Sequence, residues 1–384
     1  MTPRLVLLRA AIAAAALTSA ANVAAAQGTL GAQGFGYPPG QLSVYSRSVG
    51  GGMAEADPLS PINPAALALL QRGGLYLQSE QERRSLDASG QSGATRAYRF
   101  PLFAAALPMA GGRGMVGVAF STLLDRTWGT EIRGQTQFGG DFVDYTERFR
   151  SEGALNDVRI AAAWAIRPSL IVGAGVHLFP GENRLSLSRV YDDSLSFAPL
   201  RDSSNVNYFG SGFSGGVLWR PSRNVSVAAS ARIGGKLKLR EADTLVSQAD
   251  VPSRFGAGAH VELFSGTSLA LRADRTLWSK MEGLGSANAT PEDSWDFGLG
   301  LDAIGPRIAR TQLALRAGVR RRTLPFLAAG ARVDETALTL GTGAPFAGGR
   351  AGIDLFVERA SRSADGVDAK ERSWTFGLGL TVRP

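Results

Sequence analysis

Cysteine is missing from all 384 residues, so no disulfide staples this chain and no thiolate can ligate a metal. Histidine is nearly missing. His177 and His260 stand far apart on separate segments, which leaves no metal-ligand spacing. A hydrolase would need one of them beside a serine or between carboxylates. His260 instead alternates with Glu262 and Arg254 and reads as part of a polar interior, so no catalytic residue, metal or cofactor is assigned. Long apolar runs are missing too. Beyond residue 26 nothing approaches the ~20 apolar residues of a membrane-crossing helix, which excludes helical spans. The glycine-rich stretches "GLGLDA" and "GTGAPFAGG" lack the Lys-Ser or Lys-Thr of a phosphate loop. The net charge of +8 comes without a basic helix or aromatic RNA motif, which sets nucleic acid aside as a partner.

Glycine is what the chain has in excess, 48 of 384 residues against a usual ~7%. The first residues have a different character. Arg4 and Arg9 surround "LVLL", the run "AAIAAAALTSA" follows, and Ala24-Ala25-Ala26 precede Gln27. A basic start, a short apolar stretch and a small-residue exit predict a cleaved secretory signal peptide over residues 1–26. Without Arg4 and Arg9 the 41 basic residues fall to 39 against 33 acidic, a mild +6.

The last segment, "SWTFGLGLTVRP", sets the theme of the remainder. Trp374, Phe376, Leu378, Leu380 and Val382 alternate with Ser373, Thr375, Gly377, Gly379 and Thr381. A strict period of two places one bulky apolar face opposite one small or polar face. From residue 73 onward the chain resolves into fourteen such segments: 73–81, 95–108, 113–125, 153–166, 169–190, 204–219, 223–241, 251–264, 267–279, 293–303, 310–323, 334–346, 349–361 and 371–383. Short connections such as "RP" (167–168) and "RPSR" (220–223) alternate with longer polar ones such as 192–204 and 282–293. Tight turns at one end and long loops at the other predict an all-β fold, an antiparallel transmembrane β-barrel of about fourteen strands spanning residues 73–384. An even count closes the sheet, as hydrocarbon requires.

Which face meets lipid is decided by tryptophan. Trp164 and Trp219 lie near short turns, while Trp278, Trp295 and Trp374 lie beside long loops. Two groups on opposite rims are the pattern of interfacial aromatic girdles. The bulky face then meets acyl chains and lipopolysaccharide, and Arg254, Glu262, Asp296, Asp302, Arg316, Arg320, Asp354 and Glu358 line the interior.

Residues 27–72 do not alternate. "INPAALALLQ" predicts a short helix with Asn63 as its cap and Pro64 in its first turn, preceded by a flexible, turn-rich "VGGGMAEAD". A segment this long is too much for a plain linker, and a barrel this wide would otherwise be an open channel, so 27–72 is expected to fold inside as a plug. Ser48-Val49-Gly50-Gly51 with Ala54 and Ala56-Asp57, then Asn63-Pro64-Ala65, resemble the N-terminal hatch of the FadL family of outer-membrane transporters. Residues 251–279, 315–326 and 335–358 extend the likeness across most of the chain after the signal. "DPLSPI" departs from the family's more polar approach to its Asn-Pro-Ala motif, and Arg383-Pro384 replaces a terminal aromatic residue. PorV-type barrels of the type IX secretion system share these motifs.

The resemblance implies passive uptake of long-chain fatty acids or other hydrophobic small molecules across the outer membrane. Gly50, Gly51, Asn63, Pro64 and Ala65 would form the gating hatch. Arg254, Arg272, Arg316 and Arg320 are candidate lumen contacts for an amphipathic ligand, their alternative being interior ion pairs. Phe138, Phe142, Tyr145, Phe149 and Phe197 are candidate extracellular apolar receptors. The alternatives are a PorV-type platform for a secreted protein and a purely structural barrel.

Overall fold

The computed structural model describes residues 30, 34–70, 72–88, 91–109, 113–138, 141–192, 196–264, 266–284, 290–308 and 311–383; the expected signal, residues 1–26, lies outside them. Alternation becomes strand throughout. The strands are β1 (Gly74–Ala88), β2 (Gln91–Pro108), β3 (Gly114–Asp125), β4 (Trp128–Phe138), β5 (Asp141–Arg167), β6 (Leu170–Tyr191), β7 (Leu200–Trp219) and β8 (Val225–Glu241). They continue with β9 (Thr244–Asp250), β10 (Arg254–Phe264), β11 (Thr267–Thr276), β12 (Ser294–Ile308), β13 (Thr311–Ala328), β14 (Ala331–Phe346), β15 (Ala351–Ala364) and β16 (Ala369–Val382). All pairings are antiparallel. β16 pairs β1, with Leu75 opposite Val382, and closes the ring. β4 pairs only β5, and β9 pairs only β8, while β10 continues the ring from β8. The cylinder therefore has fourteen staves.

β4 and β9 correct the expected loops there. The chain over 126–152 is a hairpin rising above the long-loop rim, and 244–250 is a short strand folded against β8. Charged residues such as Asp144, Glu147, Arg148 and Arg150 fall on both faces of this extension. Outside the bilayer neither face needs to be apolar, so the signal of period two is lost.

On the cylinder the faces separate cleanly. β16 alternates buried and exposed from Glu371 to Val382, with Trp374, Phe376, Leu378, Leu380 and Val382 outward and Ser373, Thr375 and Thr381 inward. Phe297, Leu299, Leu315, Val319 and Leu355 continue the outward belt on neighbouring strands. A contiguous apolar girdle around a closed sheet whose charges point inward is a membrane-spanning surface. Trp164, Trp219, Trp295 and Trp374 are exposed at its rims as expected. Trp278 is a correction: it starts a short 3₁₀ turn, Trp278–Met281, that folds back over the lumen and buries the indole against Phe35.

One ladder is short. β2 and β3 pair over seven residues, from Leu102–Ser121 to Pro108–Met115, and Gln91–Arg99 of β2 pairs with β1 alone. Pro101 marks the point where pairing stops, since its ring nitrogen carries no hydrogen to donate.

Candidate functional site

The segment from Phe35 to Leu70 lies inside the cylinder, and its buried residues include Val44, Val49, Ala54, Asn63 and Ala65. The turn-rich "VGGGMAEAD", expected to be flexible, is packed and almost wholly buried. Its conformation explains the interior glycines. Gly50 and Gly51 have φ of 62° and 80°, which other residues adopt only with strain. Their turn lies flat against Gly298 and Gly300 of β12, Gly318 of β13 and Gly341 of β14, where any added Cβ would strike the backbone of Val49–Gly52 or the Ser48 side chain. A second bald patch, Gly173 of β6 and Gly216 of β7, receives Asn63, Pro64 and Ala65 in the same way. At Gly173, Gly298, Gly300 and Gly318 plug and wall thus meet backbone to backbone, while Gly216 and Gly341 seat the Asn63 and Ser48 side chains.

Side chains fasten both docks. Gly50 N–H donates to Thr339 Oγ1 at 3.1 Å, and Thr339 Oγ1 donates to the Ser48 carbonyl at 3.2 Å. Asn63 caps the 3₁₀ turn Pro64–Leu69 by accepting from Ala65 N–H at 2.9 Å. Its Nδ2 donates to the Glu55 carbonyl at 2.9 Å and reaches the Val217 carbonyl of β7 at 3.3 Å. The five-residue helix α1 (Val44–Ser48) begins on Ser43 and is tied down through Asp57, whose Oδ2 accepts from the hydroxyls of Ser43, Ser46 and Ser60 at 2.5, 2.7 and 2.6 Å.

Tyr37 anchors the start of the plug. Its backbone bridges Asp125 of β3, and four guanidiniums surround its ring: Arg362 at 4.6 Å, Arg84 and Arg322 at 4.9 Å, and Arg99 at 5.7 Å. Its hydroxyl donates to Glu335 and accepts from Arg322 and Arg362. Glu82, Asp125, Glu335 and Glu371 balance the four cations through ion pairs such as Arg322–Glu335 at 2.6 Å. Burial holds the Tyr37 proton above the usual phenol range, so the hydroxyl stays neutral. No sequence signal marks this cage, because a lone aromatic residue gains its role only from strands folded around it.

The four arginines singled out as ligand contacts all point inward, and all carry carboxylate partners. Arg254 pairs Glu55 at 2.6 Å, Arg272 and Arg320 pair Asp296 at 2.7 and 2.5 Å, and Arg316 pairs Asp354 at 2.6 Å. Three of these pairs join strand to strand, whereas Arg254–Glu55 joins wall to plug. Two spaces flank the plug. One, of about 50 Å³, lies towards the long loops between Gln41, Ile62, Trp278 and Arg320. The other is a vestibule of about 670 Å³ at the short-turn end, lined by Tyr45, His260, Glu262, Asp302, Arg316 and Asp354. The plug lies between them, with Met53, Asp57 and Leu59 on the vestibule and Pro38, Gln41 and Ile62 on the smaller space.

His177, given no role by the sequence, is central to a buried chain. Its Nδ1 is 2.7 Å from Asp157 Oδ1, and its Nε2 is 2.8 Å from Ser214 Oγ. Arg232 and Gln41 of the plug donate to the other Asp157 oxygen at 3.1 and 2.9 Å. The order resembles a hydrolase relay, yet Ser214 stands in the middle of two sheet ladders, opposite Gly175 and Arg232. Backbone N–H groups committed to such ladders cannot converge on an oxyanion. The chain acts as a brace that ties Gln41 to β5, β6 and β8.

Of the proposed aromatic receptors, the structure gathers Phe138, Tyr145 and Phe197 around Tyr191, which the sequence reading missed. Phe138 stacks on Phe197 at 4.6 Å, and Tyr191 lies 5.7, 6.4 and 5.6 Å from Phe138, Tyr145 and Phe197. Phe149 packs apart from them on Trp128 at 5.0 Å, and Phe142 is exposed alone. All but Phe197 sit on the β4–β5 hairpin and β6 rather than on loops.

No protein-family model matches the chain, and no curated protein matches it in sequence. Solved structures do. A Pseudomonas aeruginosa FadL homologue superposes with a TM-score of 0.62 at 14% identity, over 91% of this chain and 99% of that one. The Pseudomonas putida toluene transporter TodX gives 0.58 at 14% identity, over 89% and 98%. The CymD monoaromatic hydrocarbon channel gives 0.54 at 14% identity, over 88% and 96%. In fold, this chain is a FadL-like barrel of fourteen staves, closed around its own N-terminal segment.

Proposed function

We propose that the chain is an outer-membrane channel for passive uptake of hydrophobic and amphipathic small molecules, with residues 27–72 as its hatch. One observation carries this reading: a plug laid on two glycine patches separates a cavity facing the long loops from a vestibule at the short-turn end. A permanent strut would gain from interdigitated side chains, whereas contact on bald glycine leaves a surface that can part and reseat once a few hydrogen bonds, such as Gly50 to Thr339 and Asn63 to Val217, are released. The solved neighbours described as a toluene transporter and a hydrocarbon channel support the same reading.

In this mechanism an apolar molecule collects on the Phe138–Tyr191–Phe197 cluster within the outer leaflet's lipopolysaccharide. It enters the lumen above Gln41 and Ile62, and release of the Asn63–Ala65 dock opens the way onward. Fatty acids are the amphipathic members of this substrate class. The test is uptake of radiolabelled toluene and oleate by proteoliposomes carrying the protein. Uptake above that of protein-free vesicles supports the channel, and rates no higher than theirs for either solute would refute it.

A further inference from the structure

At the long-loop rim, the outside of the cylinder gathers positive charge around Trp374. Arg83 of β1 stands opposite Trp374 on one side and opposite Arg96 of β2 on the other. Arg359 stands opposite Trp374 from β15, and Arg372, one outward position above Trp374 on β16, lies between Ser85 and Ser361. All four arginines are exposed. The Arg359 guanidinium lies over the Trp374 ring at 4.8 Å, which brings it one strand closer to Arg83. With adjacent strands ~4.8 Å apart, the four charges fall within a patch about 15 Å wide.

The chain itself does not balance this patch. Further round the same rim, Arg275 is neutralised by Asp293 at 3.0 Å and Arg321 by Asp334 at 3.3 Å. Arg83, Arg96, Arg359 and Arg372 have no ion-pair partner among the described residues. The carboxylates of their strands, Glu80, Glu82, Asp354, Glu358 and Glu371, turn into the lumen. The exception is Asp87, which stands opposite Lys370 nearer the loops. Like charges directly opposite each other, as Arg83 and Arg96 are, work against a sheet, and a guanidinium cannot shed its proton to relieve them. Cations so placed call for an anion from outside the chain.

The height of the patch identifies that anion. Directly below it the outward face is apolar, with Phe376 and Leu378 on β16 and with Tyr98 and Phe100, each 70% exposed, on β2. Arginines on the upper edge of this belt lie in the head-group layer of the outer leaflet, below the loops on which a protein partner would dock. We propose that Arg83, Arg96, Arg359 and Arg372 bind the phosphates of a lipid A molecule, the phosphorylated and multiply acylated glycolipid that anchors lipopolysaccharide. Its acyl chains lie on Tyr98, Phe100 and Phe376. The planar fork of arginine takes phosphate oxygens in pairs, and the Ser85 and Ser361 hydroxyls flank Arg372. Two phosphates on one head group suit a row of cations better than a single phosphodiester does. The site lies outside the barrel wall, so it depends on the membrane-facing belt and not on the hatch or its cargo.

The experiment titrates lipid A bearing two phosphates, and the same lipid with both removed, into the full-length barrel in detergent, with native mass spectrometry as the readout. Wild type is compared with Arg83→Gln plus Arg96→Gln, with Arg359→Gln plus Arg372→Gln, and with the control Arg275→Gln plus Arg321→Gln; each is melted to check its fold. Wild type is expected to bind the phosphorylated lipid about tenfold or more tightly than the stripped one, the scale of charge-assisted hydrogen bonds. Each of the first two variants loses that preference and melts no lower than wild type, while the control keeps it. Equal binding of both lipids by wild type overturns the proposal, as does a preference that survives in the first two variants. An equal loss in the control overturns it too, by assigning the effect to rim charge in general. Phosphatidylglycerol bound as tightly as lipid A, or displacement of lipid A by millimolar inorganic phosphate, would overturn the choice of ligand. Toluene influx into proteoliposomes without lipid A is expected to match wild type in the Arg83, Arg96 variant, so a failed lipid result leaves the channel standing. Influx abolished by that variant would move these arginines into the transport path and overturn a lipid role.

Discussion

Gly318→Ala tests the dock directly. Gly318 lies mid-strand in β13 with ordinary backbone angles, so alanine costs the strand itself almost nothing. Its Cβ, however, would sit 2.7 Å from Gly50 Cα, with Gly50 N and Val49 C closer still, where ordinary contact begins at about 3.4 Å. Gly50 N, at 2.2 Å, sets the demand: the turn must retreat by about 1.2 Å, which stretches the 3.1 Å bond from Gly50 N–H to Thr339. Overpacking of this kind costs roughly 1–3 kcal/mol. The barrel ladder is unaffected, so the whole penalty falls on the docked state of the plug. With tenfold per 1.4 kcal/mol, the undocked population rises about 5- to 150-fold. Single-channel recording in planar bilayers should show opening events rising by that order, and toluene influx into proteoliposomes should rise with them. Gly215→Ala is the control, since nothing lies within 4 Å of its added Cβ. If Gly318→Ala matched Gly215→Ala in both assays, with both barrels intact, the idea of a hatch seated on bald glycine would be refuted.

Asn63→Ala removes a cap and both ties to Glu55 and Val217, and is expected to cost about 0.5–2 kcal/mol; amide exchange over residues 63–70 should accelerate while that of the strands stays unchanged. Tyr37→Phe leaves Arg322, Arg362 and Glu335 without their shared hydroxyl and should destabilise the barrel by about 1–3 kcal/mol in urea titration. Glu335→Gln goes further, by about 3–5 kcal/mol, since Arg322 and Arg362 lose a buried counter-charge. Phe138→Ser with Phe197→Ser should slow toluene uptake at low concentration without shifting the melting temperature, because the cluster stands outside the cylinder.

The cylinder was legible in the sequence because bilayer and lumen impose opposite demands on neighbouring residues, and Trp374 to Val382 record them at every step. Asn63-Pro64 announced its turn for a local reason, a cap followed by a ring that fits the first turn. The excess of glycine was equally visible, but its purpose was not: Gly300, Gly318 and Gly341 become a dock only once β12, β13 and β14 lie side by side under Val49–Gly52. Trp278 misled because a residue beside a long loop can face the rim or fold inward, and only Phe35, far off in sequence, decides between them. Arg159 looked like any interior arginine. What sets it apart is that Asp157, two residues along the same face, is already held by His177, Arg232 and Gln41, a property of the assembled lumen.

The claim that matters most is that the plug must leave the wall for cargo to pass. With no native cysteine, Ser48→Cys with Gly341→Cys provides a single defined crosslink. The Ser48 Cβ lies 2.3 Å from the position a Gly341 Cβ would take, so the plug shifts by about 1.5 Å to give the ~3.8 Å a disulfide needs, and the crosslink then holds it against β14. Toluene influx into proteoliposomes should fall to the rate of protein-free vesicles in the oxidised double variant and return on reduction. Influx that proceeds at the same rate with the plug locked to β14 would contradict the account.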